Sequence, residues 1–181
     1  LRQLKEAGLQ LLYYGMETGD DATLKAVNKG VNGEEAVEAG RRVTASGMKL
    51  SIMVILGLAG KEGSYRHAIE TAKAINIIQP TMWSALCLML YRGSELLEQF
   101  ERGEFNPLSP AECMEELYTI MENVNLPADK HCLFRSNHIS NYIPLAGTLP
   151  KDKQKLLAEI KYSAQELSKL KKWDVYNNTE Y

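Results

Sequence analysis

The sequence predicts an α/β fold built from parallel strand–helix units, and three observations carry that prediction. A loose internal repeat brings a helix end, an apolar run and a glycine turn together three times. The apolar runs are continuous rather than alternating, the pattern of strands in a parallel sheet. The glycines that close the runs, Gly15, Gly57 and Gly93, lie 42 and 36 residues apart. That interval accommodates a strand, its loops and a crossover helix.

In chain order, Ala7-Gly8-Leu9 leads into the run Leu11–Tyr14 and then Gly15. Ser46-Gly47-Met48 leads into Leu50–Leu56 and then Gly57, and Pro80-Thr81 leads into Trp83–Tyr91 and then Gly93. A helix is predicted to begin at Asp20. Asn32-Gly33-Glu34-Glu35 reads as a capping box, in which the Asn side chain accepts from a free amide and Glu35 reaches back. Ala36, Ala39 and Val43 follow at helical spacing. Ser109-Pro110-Ala111-Glu112 is a second box, with Pro at the first helical position, where no N–H is needed. Leu117, Ile120 and Met121 share one face of that helix. His131–Arg135 is a candidate short strand. A last helix is predicted from Pro150, burying Leu156, Leu157, Ile160, Ala164 and Leu167.

The composition bounds the function. With 181 residues, 45% hydrophobic and 24% charged, the chain has the make-up of an ordinary globular domain. A formal charge of −2 gives no support to a general nucleic-acid binder. Eight Glu stand against the single Arg102 between Ser94 and Asn123, and seven Lys against three acids between Lys151 and Lys172. Both runs read as solvated helix surface. The cysteines, Cys87, Cys113 and Cys132, match no compact zinc or cluster motif, and an odd count argues against a disulfide framework. Reduced thiols and a cytoplasmic location are expected. No apolar run reaches the roughly 18 residues of a membrane span. The chain starts without Met and inside a helical pattern, which suggests a piece of a longer protein.

Ligands of parallel α/β folds bind beyond the carboxyl ends of the strands. There the sequence places Glu17, in Gly15-Met16-Glu17-Thr18-Gly19, able to accept hydrogen bonds from a ribose or an ammonium group. The alternative is that Glu17 caps the helix beginning at Asp20. The glycines of Gly57–Gly63 permit close backbone approach to a ligand, but the loop lacks the Lys-Ser/Thr pair of a phosphate-binding Walker loop. Leu90–Ser94 closes the third unit. Arg135, Asn137 and His138 form a polar cluster after the candidate strand, suited to an anionic substrate or a proton donor. The alternative for His138 is a hydrogen-bonded surface residue. His67 is expected to be exposed, and His131 is given no role.

The series Gly15–Gly19, Leu24–Gly30 and Ile55–Glu62 closely resembles the radical S-adenosylmethionine (SAM) superfamily. It is most similar to the branch of oxygen-independent coproporphyrinogen oxidases and related uncharacterised Fe–S oxidoreductases. Phe134–Tyr142 and Gly147–Pro150 resemble the same relatives. The resemblance implies the C-terminal half of a partial (β/α) TIM-like barrel with additional C-terminal helices. Residues 1–128 would be its βα units, and 129–181 a short strand, polar loop and helix packed on it. It also implies SAM and a 4Fe-4S cluster as cofactors. The cluster would be held by a Cys-x3-Cys-x2-Cys loop that this chain lacks, and reductive cleavage would yield a 5′-deoxyadenosyl radical.

By the same resemblance, Glu17 contacts the SAM ribose or amino-acid portion. Lys29, where relatives often carry Arg, is a partner for the SAM carboxylate. Ile55 and Gly57 meet adenine, and Leu90 to Gly93 complete its pocket. No metal ligand is expected in this chain, which alone would be inactive. Its partners would be the missing N-terminal half or a second copy across the open barrel edge, with no membrane involved. The competing reading is a non-catalytic α/β binding or interaction module.

Overall fold

Residues 1–169 are described by a computed structural model; residues 170–181, with the end of the lysine-rich run and of the predicted segment 129–181, lie outside it. The helix α1 (Arg2–Glu6) precedes β1 (Leu11–Glu17), and α2 (Asp21–Ala26) and α3 (Gly33–Ala45) lead to β2 (Lys49–Leu56). Helix α4 (Gly60–Ile78) connects to β3 (Met82–Cys87), then α5 (Glu95–Glu101) and α6 (Pro110–Asn123) to β4 (Cys132–Ser136). Strand β5 (Leu145–Leu149) and α7 (Lys153–Ser168) complete the chain. The sheet order is β1-β2-β3-β4-β5, parallel through β4, with β5 antiparallel at its edge.

Strands that follow one another in sequence order through crossovers of one hand carry their helices on one face. This is the architecture of part of a TIM-like barrel, here with helices appended at the C-terminus. Leu50, Ile52, Val54 and Leu56 of β2, with Trp83, Ala85 and Cys87 of β3, point into the helix layer and are buried. Trp83 and Phe134 anchor the β3–β4 seam, their ring centroids 4.5 Å apart. The residues that alternate with these, Met53, Ile55, Met82, Leu86 and Leu133, are only half-buried on the opposite face. Continuous apolar runs therefore serve a core on one side and a half-open face on the other.

Both capping boxes form, at Asn32/Glu35 and Ser109/Glu112. Several expectations are corrected. The third strand stops at Cys87 rather than Tyr91, because its neighbour β2 ends at Gly57, whose φ of 80° turns the chain away. The last bond is Leu88 N to Leu56 O, at 2.9 Å. On the other side of β3, Asn141 replaces a strand: its Nδ2 donates to Ala85 O and its Oδ1 accepts from Cys87 N, both at 2.9 Å. The last helix starts at Lys153, not Pro150, and Asp152 is spent on accepting from Thr148 N at 2.8 Å. Strand β5, folding back along β4, has no counterpart in the sequence reading. His67 is fully buried rather than exposed, and Glu116, within the run read as solvated surface, is 3% exposed.

Candidate functional site

The C-terminal end of β1 is bent by a bulge between Gly15 and Glu17, with Glu17 in the left-handed region at φ 65°. The bulge curls the Glu17 side chain back over its own strand. A Cβ on Gly15 would lie 2.4 Å from Glu17 Oε1, so only glycine leaves this space to the carboxylate. Gly15 registers with Met53, Met53 with Ser84, and Ser84 with Arg135. Registered residues share a face, so the Glu17 carboxylate sits on the half-open face of the sheet. Lys29 Nζ donates to Glu17 Oε1 at 3.0 Å, and the two side chains are 30% and 22% exposed. The structure thus brings Glu17 and Lys29 together.

Glu17 is not the helix cap. Asp20 is: its Oδ2 accepts from Thr23 N at 3.0 Å and Thr23 Oγ1 at 2.6 Å, and its Oδ1 from Arg66 Nε at 2.8 Å. Burial alone would raise the Asp20 carboxyl. The bonds from Arg66 and Thr23 outweigh it and hold the carboxyl below its ordinary range.

Ile55 lies on the half-open face in register with Leu86, one strand away from Glu17, which pairs with Val54. Gly57 follows directly, its N–H donated to Glu116 Oε1 at 2.7 Å. Leu90 is buried in a small cluster with Leu97 and Phe105. Gly93, at φ 79°, makes the turn before Ser94 caps α5.

Arg135 projects from the same row of the half-open face as Gly15, three strands and so about 14 Å away. Its Nη1 donates to Phe134 O at 2.9 Å. Asn137 and His138 are exposed in the loop beyond β4. His138 Nδ1 lies 2.9 Å from Ser140 Oγ and 3.2 Å from Ser140 N. The face therefore combines a carboxylate–ammonium pair at one edge, half-buried Met53, Ile55 and Leu86, and a guanidinium on the far strand. Such a surface suits a ligand with an apolar ring and hydroxyl or charged substituents.

Two buried residues lie at the back of this site: His67, expected to be exposed, and Glu116, expected on a solvated surface. His67 falls in the buried stripe His67–Ala68–Thr71–Ala72–Ile75, and Glu116 in the stripe Cys113–Leu117–Ile120, so helical spacing alone places both inside.

The chain's own thiols do not fit an iron–sulfur cluster. All three are buried, and among the described residues no group of three or more His, Cys, Asp or Glu could hold a metal. Cys113 shares a hydrogen bond with Cys87 that, with burial, pushes it well above its usual range, and burial pushes Cys132 up to about 12. Cluster ligation needs thiolates, the form these sites disfavour. No described helix is long and apolar enough to cross a membrane.

No protein-family profile matches the chain. An uncharacterised protein of Methanocaldococcus jannaschii is 24% identical over 111 residues, 61% of this chain and 34% of that protein. The chain thus spans about a third of the length of the curated relative it matches. Among solved structures, archaeal Elp3 of Methanocaldococcus infernus, lacking N-terminal residues 1–46, superposes over 92% of this chain and 38% of its own. The TM-score is 0.63 and the identity 20%. What the two share is the fold: this chain has the α/β architecture of part of the TIM-like barrel found in archaeal Elp3.

Proposed function

We propose that this chain supplies the ribose- and adenine-facing side of a SAM site in a radical SAM enzyme. The observation that carries the reading is the Glu17 carboxylate, curled over Gly15 onto the half-open face beside Ile55. There it accepts from ribose hydroxyls or the SAM ammonium, while Lys29 orients it and reaches the SAM carboxylate. Ile55, Gly57 and the Leu90–Gly93 turn offer the apolar and backbone surface for adenine. Arg135, Asn137 and His138 face substrate from the far side. In the whole enzyme this site supports reductive cleavage of SAM, with the 4Fe-4S cluster held by residues outside this chain. The motif series and the fold shared with Elp3, a radical SAM-family protein, support the reading. Among the described residues no strand pairs with the outer edge of β1, and the rest of the barrel, or a second copy, would add there.

The test uses the product of the whole coding frame that contains this chain. The reading expects a Cys-x3-Cys-x2-Cys loop upstream and, after anaerobic reconstitution, formation of 5′-deoxyadenosine from SAM under reduction. Glu17→Ala should weaken SAM binding by about 1–3 kcal/mol, because it leaves ligand donors without an acceptor. A frame without that loop, or equal SAM affinity in wild type and variant, would favour the binding-module alternative.

A further inference from the structure

Behind the loop that follows β2 lies a buried polar seam that the proposed ligand contacts do not use. The Glu116 side chain is 0% exposed. Its Oε1 accepts from Gly57 N at 2.7 Å, and its Oε2 from Ser64 Oγ of α4. One turn along α4, the equally buried His67 brings Nε2 to 3.6 Å from Glu116 Oε1. Neither ring nitrogen has a hydrogen-bond partner among the described residues. A further turn on, Thr71 Oγ1 accepts from Gly19 N, in the loop after β1, at 3.0 Å. Ser64, His67 and Thr71 thus line one stripe of α4 that ties down the loops after both strands.

A carboxylate so buried, with two donors for its two oxygens, is short of compensation. Burial therefore pushes Glu116 up to about 7, its bonds from Ser64 and Gly57 only partly offsetting this. Burial pushes the His67 imidazole down to about 4, with Asp20 pulling weakly the other way. The surrounding ionisable groups have partners of their own. Lys61 pairs with Glu112 at 2.8 Å, Arg66 with Asp20 at 2.8 Å, and Cys113 with Cys87. A cleft of about 280 Å³ between α4 and α6 is lined by Ser64, Glu115 and Glu116.

We propose that Glu116 is the positioning residue of the Gly57 loop, and that with His67 it forms a one-proton pair whose charge state sets how firmly the loop is held. The ionised carboxylate takes a charge-assisted bond from Gly57 N. Protonation weakens that bond and makes Oε2 a donor toward Ser64 Oγ. Proton uptake at the back of the site thereby loosens the loop at its front. This deepens the SAM-site reading, since Gly57 borders the proposed adenine surface. Its test contains no SAM, so each can fail without the other.

The experiment follows the Glu116 carboxyl carbon and the Gly57 amide by NMR of this chain between pH 5 and 9. Both should titrate with one shared midpoint near neutrality, the Gly57 amide proton moving upfield as pH falls. Ser64→Ala removes a bond that favours the charged form, so it should raise the shared midpoint. Glu116→Gln should leave the Gly57 amide independent of pH. A Gly57 amide that is static in the wild type, a midpoint unmoved by Ser64→Ala, or a titration that persists in Glu116→Gln would each overturn the proposal.

Discussion

Glu116→Gln should lose stability progressively as pH falls from about 6.5 to about 4, a loss that wild type escapes down to about 4.5. The reason lies in how the two buried groups exchange a proton on folding. His67 has its folded value lowered from 6.5 to about 4, so its contribution is full above 6.5 and lost as pH falls through 4. Glu116 has its folded value raised from 4.5 to about 7. Its contribution is therefore full below 4.5 and lost as pH rises through 7. Between 4.5 and 6.5 the folded pair holds one proton on Glu116 and the unfolded chain holds one on His67, so the two slopes cancel.

Removing either partner exposes the other. Without Glu116, the loss on acidification should reach about 3 kcal/mol. His67→Gln should show the mirror image, losing about as much as pH rises from 4.5 to 7. Urea unfolding of the three proteins at half-unit pH intervals measures this. Parallel profiles would mean that the two residues do not share a proton.

Trp83→Ala should cost about 3–5 kcal/mol, the range for emptying a buried aromatic site. Trp83 is 0% exposed, packs against Phe134 at 4.5 Å and belongs to the main core beneath α4 and α6. Its indole N–H has no hydrogen-bond partner among the described residues, so Trp83→Phe removes a buried unsatisfied donor as well as volume. That variant should therefore lose under about 1.5 kcal/mol. Thermal unfolding separates the two. Near-equal losses in both variants would show that the β3–β4 seam does not depend on the packed ring.

The elements that could be read from sequence are those whose signals are local. Asn32 and Ser109 announce α3 and α6 through side chains that bond within their own first turn. Glycines and apolar runs locate β1 and β2 because turn and strand are adjacent in the chain. What escaped depends on distant partners. Strand β3 ends where β2 leaves it, and Asn141, fifty-odd residues away, takes over its free amide and carbonyl. Strand β5 exists because β4 offers it an edge, and its sequence, Leu-Ala-Gly-Thr-Leu, carries little strand signal of its own. His67 and Glu116 are polar residues in apolar stripes, and Glu116 is held there by donors distant in sequence, Gly57 N and Ser64 Oγ.

In the candidate site, Glu17 was legible as a carboxylate between glycines. The bulge that turns it over Gly15, and its pairing with Lys29, were not, because both follow from the register with β2.

A SAM site on the strand-end face of this chain should be visible residue by residue. The most direct measurement is an NMR titration of the chain with SAM to millimolar concentration, followed residue by residue. The amides of Glu17, Lys29, Ile55 and Gly57 should shift together along one binding curve, and Glu17→Ala should displace that curve to higher ligand concentration. Shifts that are absent at these four residues, or that gather on the helix layer between α6 and α7, would contradict it.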